Sequence, residues 1–238
     1  MTRRKATAPA LLVTVEHGGN RVPADYRKLF AAQAAVLDTH RGYDPGALLL
    51  GRELATRLDA PLVSSTTTRL LVDLNRSMGH RGLFSEFTRR LAADQRTRIV
   101  ERYWRPYRDE VDRAVAGFID RGRRVVHLSS HSFTPVLDGE VRNADIGLLY
   151  DPGRPAERLL AARWKAALGA IDPGLRVRMN YPYTGRADGL TRDLRRRHAP
   201  ARYAGLEIEV NQRYVLAGGS AWAALRHTVL ESIEIALR

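Results

Sequence analysis

Two histidines follow runs of strand-forming residues: His17 in Val13-Thr14-Val15-Glu16-His17-Gly18-Gly19-Asn20, and His131 in Val125-Val126-His127-Leu128-Ser129-Ser130-His131-Ser132-Phe133. Each opens a polar, turn-forming segment. A residue just past the carboxyl end of a buried strand sits at the rim of a sheet, where open α/β folds bind ligands. Imidazole is the commonest neutral zinc ligand, and a catalytic zinc takes three protein ligands with one position left for water. A single histidine is more often a surface or hydrogen-bonded residue; two at matching strand ends favour a metal site. The chain has no cysteine, so any metal must be held by His, Asp, Glu or Asn. Of the other histidines, His127 lies inside its strand and is expected to be structural, while His227 falls in a C-terminal helix as a solvated or packing residue.

Two further segments carry candidate chemistry. Thr68 to Arg76 reads as a buried strand ending in Asn75 and Arg76, and an arginine there can grip a carboxylate through two parallel hydrogen bonds. The alternative is that Asp73 and Arg76 pair to close a turn. In Leu206-Glu207-Ile208-Glu209-Val210, the two carboxylates share one strand face. A carboxylate beside activated water serves as a general base, and burial raises its pKa toward the working range. An edge strand with solvated alternate residues fits the same pattern.

The elements that would position these groups alternate along the chain. Strands are expected at Ala10–Val15, Leu62–Ser65, Arg69–Leu74, Arg124–Ser130, Ile146–Tyr150, Leu175–Met179 and Leu206–Val210. Helices are expected at Pro45–Leu58, Arg90–Ile119 with an interruption near Pro106, Pro155–Leu168 and Ala221–Leu237. The pattern predicts a three-layer α/β/α sandwich with a mixed, largely parallel sheet. Residues 9–238 are read as one domain and residues 1–8 as a short disordered lead.

Composition is that of a soluble globular protein, with 44% hydrophobic and 27% charged residues. No run of about 18 apolar residues could span a bilayer, and no secretory signal core follows the basic start. The expectation is a cytoplasmic enzyme with no membrane partner. The net charge of +13 comes from 39 basic residues, of which three are lysine. The arginines are dispersed among acids and not clustered, which argues against a nucleic-acid surface. The dense runs at Arg121–Arg124 and Arg195–Arg197 read as solvated helix ends or turns.

Five segments then occur in the order of the N-formylglutamate amidohydrolases: Glu16 to Pro23, His40-Arg41-Gly42-Tyr43-Asp44-Pro45-Gly46-Ala47, Arg69 to Arg76, His131-Ser132-Phe133-Thr134-Pro135, and Gly205 to Glu209. The sequence resembles that family over about Leu11 to Gln212. The resemblance implies a phosphorylase/hydrolase-like fold, related to zinc carboxypeptidases and the aspartoacylase group, and hydrolysis of an amide on an amino-acid-like substrate.

By that resemblance His17 and His131 are the two histidine ligands. The relatives have a glutamate three residues after the first histidine; here the position is Asn20, so the third ligand is Asn20 or Asp44. The implied metal is Zn2+, with Mn2+ or Co2+ as alternatives. Glu209 is similar to the glutamate that acts as general base, with Glu207 the second choice. Arg69, Asn75 and Arg76 are similar to a substrate-carboxylate segment, and Ser132 and Tyr183 to substrate-facing positions. The substrate the resemblance implies is a small N-acyl amino acid, N-formyl-L-glutamate first. The runner-up is a peptide whose side-chain amide or amidine (guanidino) group is hydrolysed. A metal-free binding protein is the reading from another class.

Overall fold

The computed structural model describes residues 8–238; the expected disordered lead at residues 1–8 lies, except for Ala8, outside the described residues. Eight strands and seven α-helices follow: β1 Ala10–Val15, α1 Ala47–Arg57, β2 Leu62–Ser64, α2 Ala93–Ile99, α3 Arg105–Asp120, β3 Val125–Phe133, β4 Val136–Leu137, β5 Glu140–Val141, β6 Ile146–Leu149, α4 Pro155–Ile171, β7 Val177–Met179, α5 Leu190–Arg197, β8 Tyr203–Asn211, α6 Gln212–Ala217 and α7 Gly219–Leu237. Six strands form one sheet in the order β2-β1-β3-β8-β6-β7. The first four are parallel; β6 runs antiparallel to β8, and β7 parallel to β6. This is the three-layer α/β sandwich expected from the sequence.

Alternation along the strands explains the layers. Val13, Val126, Leu128, Leu206, Ile208 and Val210 face α1, α4 and α7, where Leu54, Trp164 and Val229 complete one core. Leu12, Val125 and Tyr203 face the other layer, packing with Val111 of α3 and Leu190 and Leu194 of α5. On this second face the strands turn from apolar to polar toward their carboxyl ends. Thr14, Glu16, His127, Ser129, His131, Glu207 and Glu209 are all buried there. A buried polar group must find hydrogen bonds or cost free energy, so this seam marks where the fold does something other than pack.

Several boundaries differ from expectation for identifiable reasons. Residues 69–74 are not a strand. Leu70, Leu71, Val72 and Leu74 are buried as the apolar run demands, but the backbone turns, with Leu71 N–H donating to Thr68 and Asp73 N–H to Leu83. Their carbonyls are met by side chains instead: Ser85 on Leu70, Thr88 on Leu71 and Arg108 on Leu74. Strand β3 runs on to Phe133, so His131 lies in its last turn of pleat and not beyond it. The helix over residues 93–120 is interrupted by a single π-turn, Val100–Trp104, which ends two residues before Pro106. Proline there lacks the N–H that a continuous ladder would require.

Arg195 also departs from its expected solvated place. It is buried, its Nε 2.9 Å from Glu157, which is itself buried. Its remaining donors reach the carbonyls of Gly185 and Gly205. No helix is long and apolar enough to cross a membrane among the described residues.

Candidate metal centre and active site

Three segments bring their side chains to one point. His17 follows β1, His131 lies two residues before the end of β3, and Asp44 sits in the loop entering α1. Gly46 fixes that loop: its φ of 82° is left-handed, and a Cβ would stand 2.6 Å from Val215 Cγ2. Gly18 does the same after His17, since a Cβ there would lie 2.8 Å from the Ser65 carbonyl oxygen. Ser132 Oγ donates to the Pro45 carbonyl at 2.7 Å and accepts from Gln212, which pins the Asp44 loop to β3.

His17, Asp44 and His131 each offer a ligand atom, all within 4.8 Å of one another and all buried. The Nδ1 atoms of both histidines face Asp44 Oδ2, at 3.4 Å and 2.9 Å. Behind each ring stands a second carboxylate: Asp73 Oδ1 lies 2.7 Å from His17 Nε2, and Glu16 Oε2 lies 2.9 Å from His131 Nε2. A carboxylate on the rear nitrogen fixes ring orientation and tautomer, the arrangement usual behind metal-ligating histidines. Glu16 is itself held by Tyr107 at 2.9 Å and Ser129 at 2.6 Å. Arg69 bridges the two aspartates, donating to Asp44 at 3.2 Å and Asp73 at 2.8 Å.

The electrostatics follow from these contacts. Burial alone would raise Glu16 and Asp44, but both are driven well below the carboxylate range: Glu16 by His131, Ser129 and Thr14, Asp44 by the two histidines and Arg69. Burial likewise opposes His131 protonation, yet Asp44 and Glu16 hold its pKa well above the ordinary imidazole value. Ionised Glu16, Asp44 and Asp73 are thus set against His131 and Arg69 at one buried point.

Glu209 faces this group from the neighbouring strand, at the register position of His131. Burial pushes it up to about 8; the charges of Asp44 and Glu207 add to the rise, against His131 and Arg69. Its Oε2 is buried with no hydrogen-bond partner. Glu207 lies at the register position of Ser129 and accepts a hydrogen bond from Thr191. Neither strand residue is on an edge, because β8 lies between β3 and β6.

A cavity of about 150 Å³ opens onto these groups. It brings together His17, Asp44, Arg69, Asn75, Arg76, His131, Ser132, Tyr183, Glu207 and Glu209, all sequence candidates. Asn20 is not among them; its amide donates to Asp38 at 2.7 Å. Asn75 Oδ1 accepts a hydrogen bond from Leu190 N–H at the start of α5, at 2.7 Å. Arg76 donates to the Asp188 carbonyl.

Glu16, His40 and Gln212, not among the sequence candidates, are also at the site, and Asp73 is marked in the sequence only as a turn partner. Glu16 had a signal: Thr14 and Glu16 alternate with Val13 and Val15, placing an acid on a buried face. His127 sits as expected inside the sheet, between Thr14 Oγ1 at 2.8 Å and Tyr203 hydroxyl at 2.7 Å.

Comparison with known proteins adds an independent line. The sequence profile of the N-formylglutamate amidohydrolase family matches residues 9–216. The gene product Atu2144 of Agrobacterium tumefaciens has a similar structure, with a TM-score of 0.82 and 30% identity, covering 98% of this chain and 91% of that one. An N-formylglutamate amidohydrolase of Ralstonia eutropha JMP134 shares the fold at a TM-score of 0.71 and 22% identity, covering 98% and 94%. No curated protein sequence matches.

Proposed function

The chain belongs to the N-formylglutamate amidohydrolase family, and on that premise we propose that it is a metal-dependent amidohydrolase of N-acyl amino acids, with N-formyl-L-glutamate the first candidate substrate. The observation that carries the reading is the buried His17–Asp44–His131 group with the unpartnered Glu209 oxygen beside it. Two imidazole nitrogens, deprotonated as a metal binds, and one carboxylate are a donor set that suits zinc, with manganese or cobalt next. Three protein ligands leave a position open, and the two rear carboxylates match what such ligands need. His17, Asp44 and His131 would hold the ion. Bound there, zinc supplies Lewis acidity toward the amide carbonyl and lowers the pKa of water toward about 7.

The chain's own residues do the rest. Glu209 accepts a proton from the attacking water and returns it to the nitrogen as the C–N bond breaks, releasing the acyl group as its acid. Its placement on an interior strand keeps that oxygen fixed and screened from bulk solvent. Arg76 and the Asn75 amide take the substrate's anionic group, while Arg69 fixes Asp44 and Asp73 and presents its outer edge to the cavity. Holding the remote group makes the attack effectively unimolecular.

Metal content and formate release test the reading together. The expected result is about one zinc per wild-type chain, lost in His17→Ala and His131→Ala along with formate release from N-formyl-L-glutamate. Bound metal without formate release would move the search to other acyl groups and to peptides. A folded wild-type protein that binds no metal would overturn the mechanism.

A further inference from the structure

The cations around the cavity are unequally compensated. Arg69 is shared between Asp44 and Asp73. Arg41, beside His40 in sequence, pairs with Glu86. Arg76 reaches the Asp188 carbonyl, and its charge is close enough to that residue's carboxylate to lower its pKa. Arg142 differs. It follows the β4–β5 hairpin, which rises from the end of β3, and it is half-buried. Its guanidinium donates to the Tyr183 hydroxyl at 3.2 Å and lies 5.2 Å from the centre of that ring. Both partners are neutral, and among the described residues no carboxylate lies within ion-pair distance of it.

Arg142 is not itself a lining residue of the cavity, but two lining residues stand beside it. Tyr183 lines the cavity and touches Arg142 directly. His40 also lines it; burial first, then the charges of Arg142, Arg41 and Arg69, keep its pKa below the ordinary imidazole value. A neutral His40 does not compete for an anion, and a half-buried guanidinium on an aromatic face is poorly hydrated and oriented for two parallel hydrogen bonds. The main chain holds it there: Arg142 N–H donates to the Pro135 carbonyl at 2.8 Å, and its own carbonyl accepts from Asn211.

We propose that Arg142 is a specificity-determining residue that receives the second carboxylate of a dicarboxylic substrate at the cavity mouth, while Arg76 receives the first. This rests on the amidohydrolase reading for its substrate, but the site can be tested apart from turnover. The discriminating pair is N-formyl-L-glutamate against N-formyl-L-glutamine, which differ only in that outer charge. Arg142→Met should cut kcat/KM for the first by about ten- to a hundredfold, mainly through KM, and leave the second within about twofold. Arg142→Lys should recover part of the loss. Arg142→Gln replaces the methionine variant if that one fails to fold.

Calorimetry with glutarate and butyrate reads the same contact without catalysis: Arg142→Met should weaken glutarate binding and leave butyrate unchanged. Equal losses on both formyl substrates, or none, would overturn the assignment. If the wild type hydrolyses neither, formyl amino acids are not its substrates and glutarate alone decides. Wild-type binding that Arg142→Met weakens would then uphold the site, and absent or unaltered binding would remove it.

Discussion

At the residue scale the centre is a set of carboxylates and imidazoles, each with one task. Glu209 differs from Glu207 in what it touches: Glu207 is engaged by Thr191, whereas Glu209 Oε2 has no partner. Glu209→Gln is therefore expected to lower kcat on the order of a hundred- to ten-thousandfold with metal content and fold unchanged. Steady-state kinetics beside metal analysis check this, and wild-type turnover in that variant would remove Glu209 as base. The rear carboxylates predict a different signature. Asp73→Asn and Glu16→Gln keep the shape but weaken the hold on the rings, so metal affinity should fall about ten- to a hundredfold in competition with a chelator. Unchanged affinity in both would mean the rings are fixed by packing alone.

At the element scale the fold was largely legible, because period-2 and period-3.6 patterns were strong in the core strands and in α1, α4 and α7. His17, His131, Glu207 and Glu209 were legible for the same reason: each ends or interrupts an apolar run. The misreading at residues 69–74 has a physical origin. Consecutive Leu70, Leu71 and Val72 announce burial but not backbone shape. What allows turns there is a group of donors at Ser85, Thr88 and Arg108, too distant in sequence to be associated with them. Asp44 likewise could be named only by resemblance, since nothing local reveals that its loop returns beneath His17. Arg195 was misjudged because its partner Glu157 lies on another helix. That pair yields a prediction: Arg195→Ala leaves a buried carboxylate unpaired and should cost about 3–5 kcal/mol in urea unfolding. A loss below about 1 kcal/mol would show that the pair contributes little.

At the scale of the whole molecule, stability should depend on pH through His127. Burial, with the positive charges of Arg195 and His131 and against the pull of Glu16, pushes its pKa down to about 4 from 6.5. The unfolded chain therefore binds a proton that the folded chain refuses between those values. The contribution is fully present above pH 6.5 and is lost as pH falls toward 4, a change of about 3 kcal/mol. His127→Gln should flatten that limb of the stability curve, measured by denaturant midpoints at several pH values. Parallel curves for the two proteins would show that His127 does not carry it.

The β4–β5 hairpin turns through Asp138 and Gly139, both at positive φ and exposed. It is also the seam between two halves of the catalytic inventory: His17, Asp44, Asp73 and His131 come before it, and Tyr183, Glu207 and Glu209 after. Severed at that turn, the protein becomes two fragments, one carrying β1 to β3 and the other β6 to β8. Neither holds a complete centre, and their main bond is the pairing of β3 with β8 that sets Glu209 opposite His131. Hydrolysis recovered on mixing the pieces would thus report fragment complementation across one strand pair, making the enzyme a natural split reporter of its own sheet.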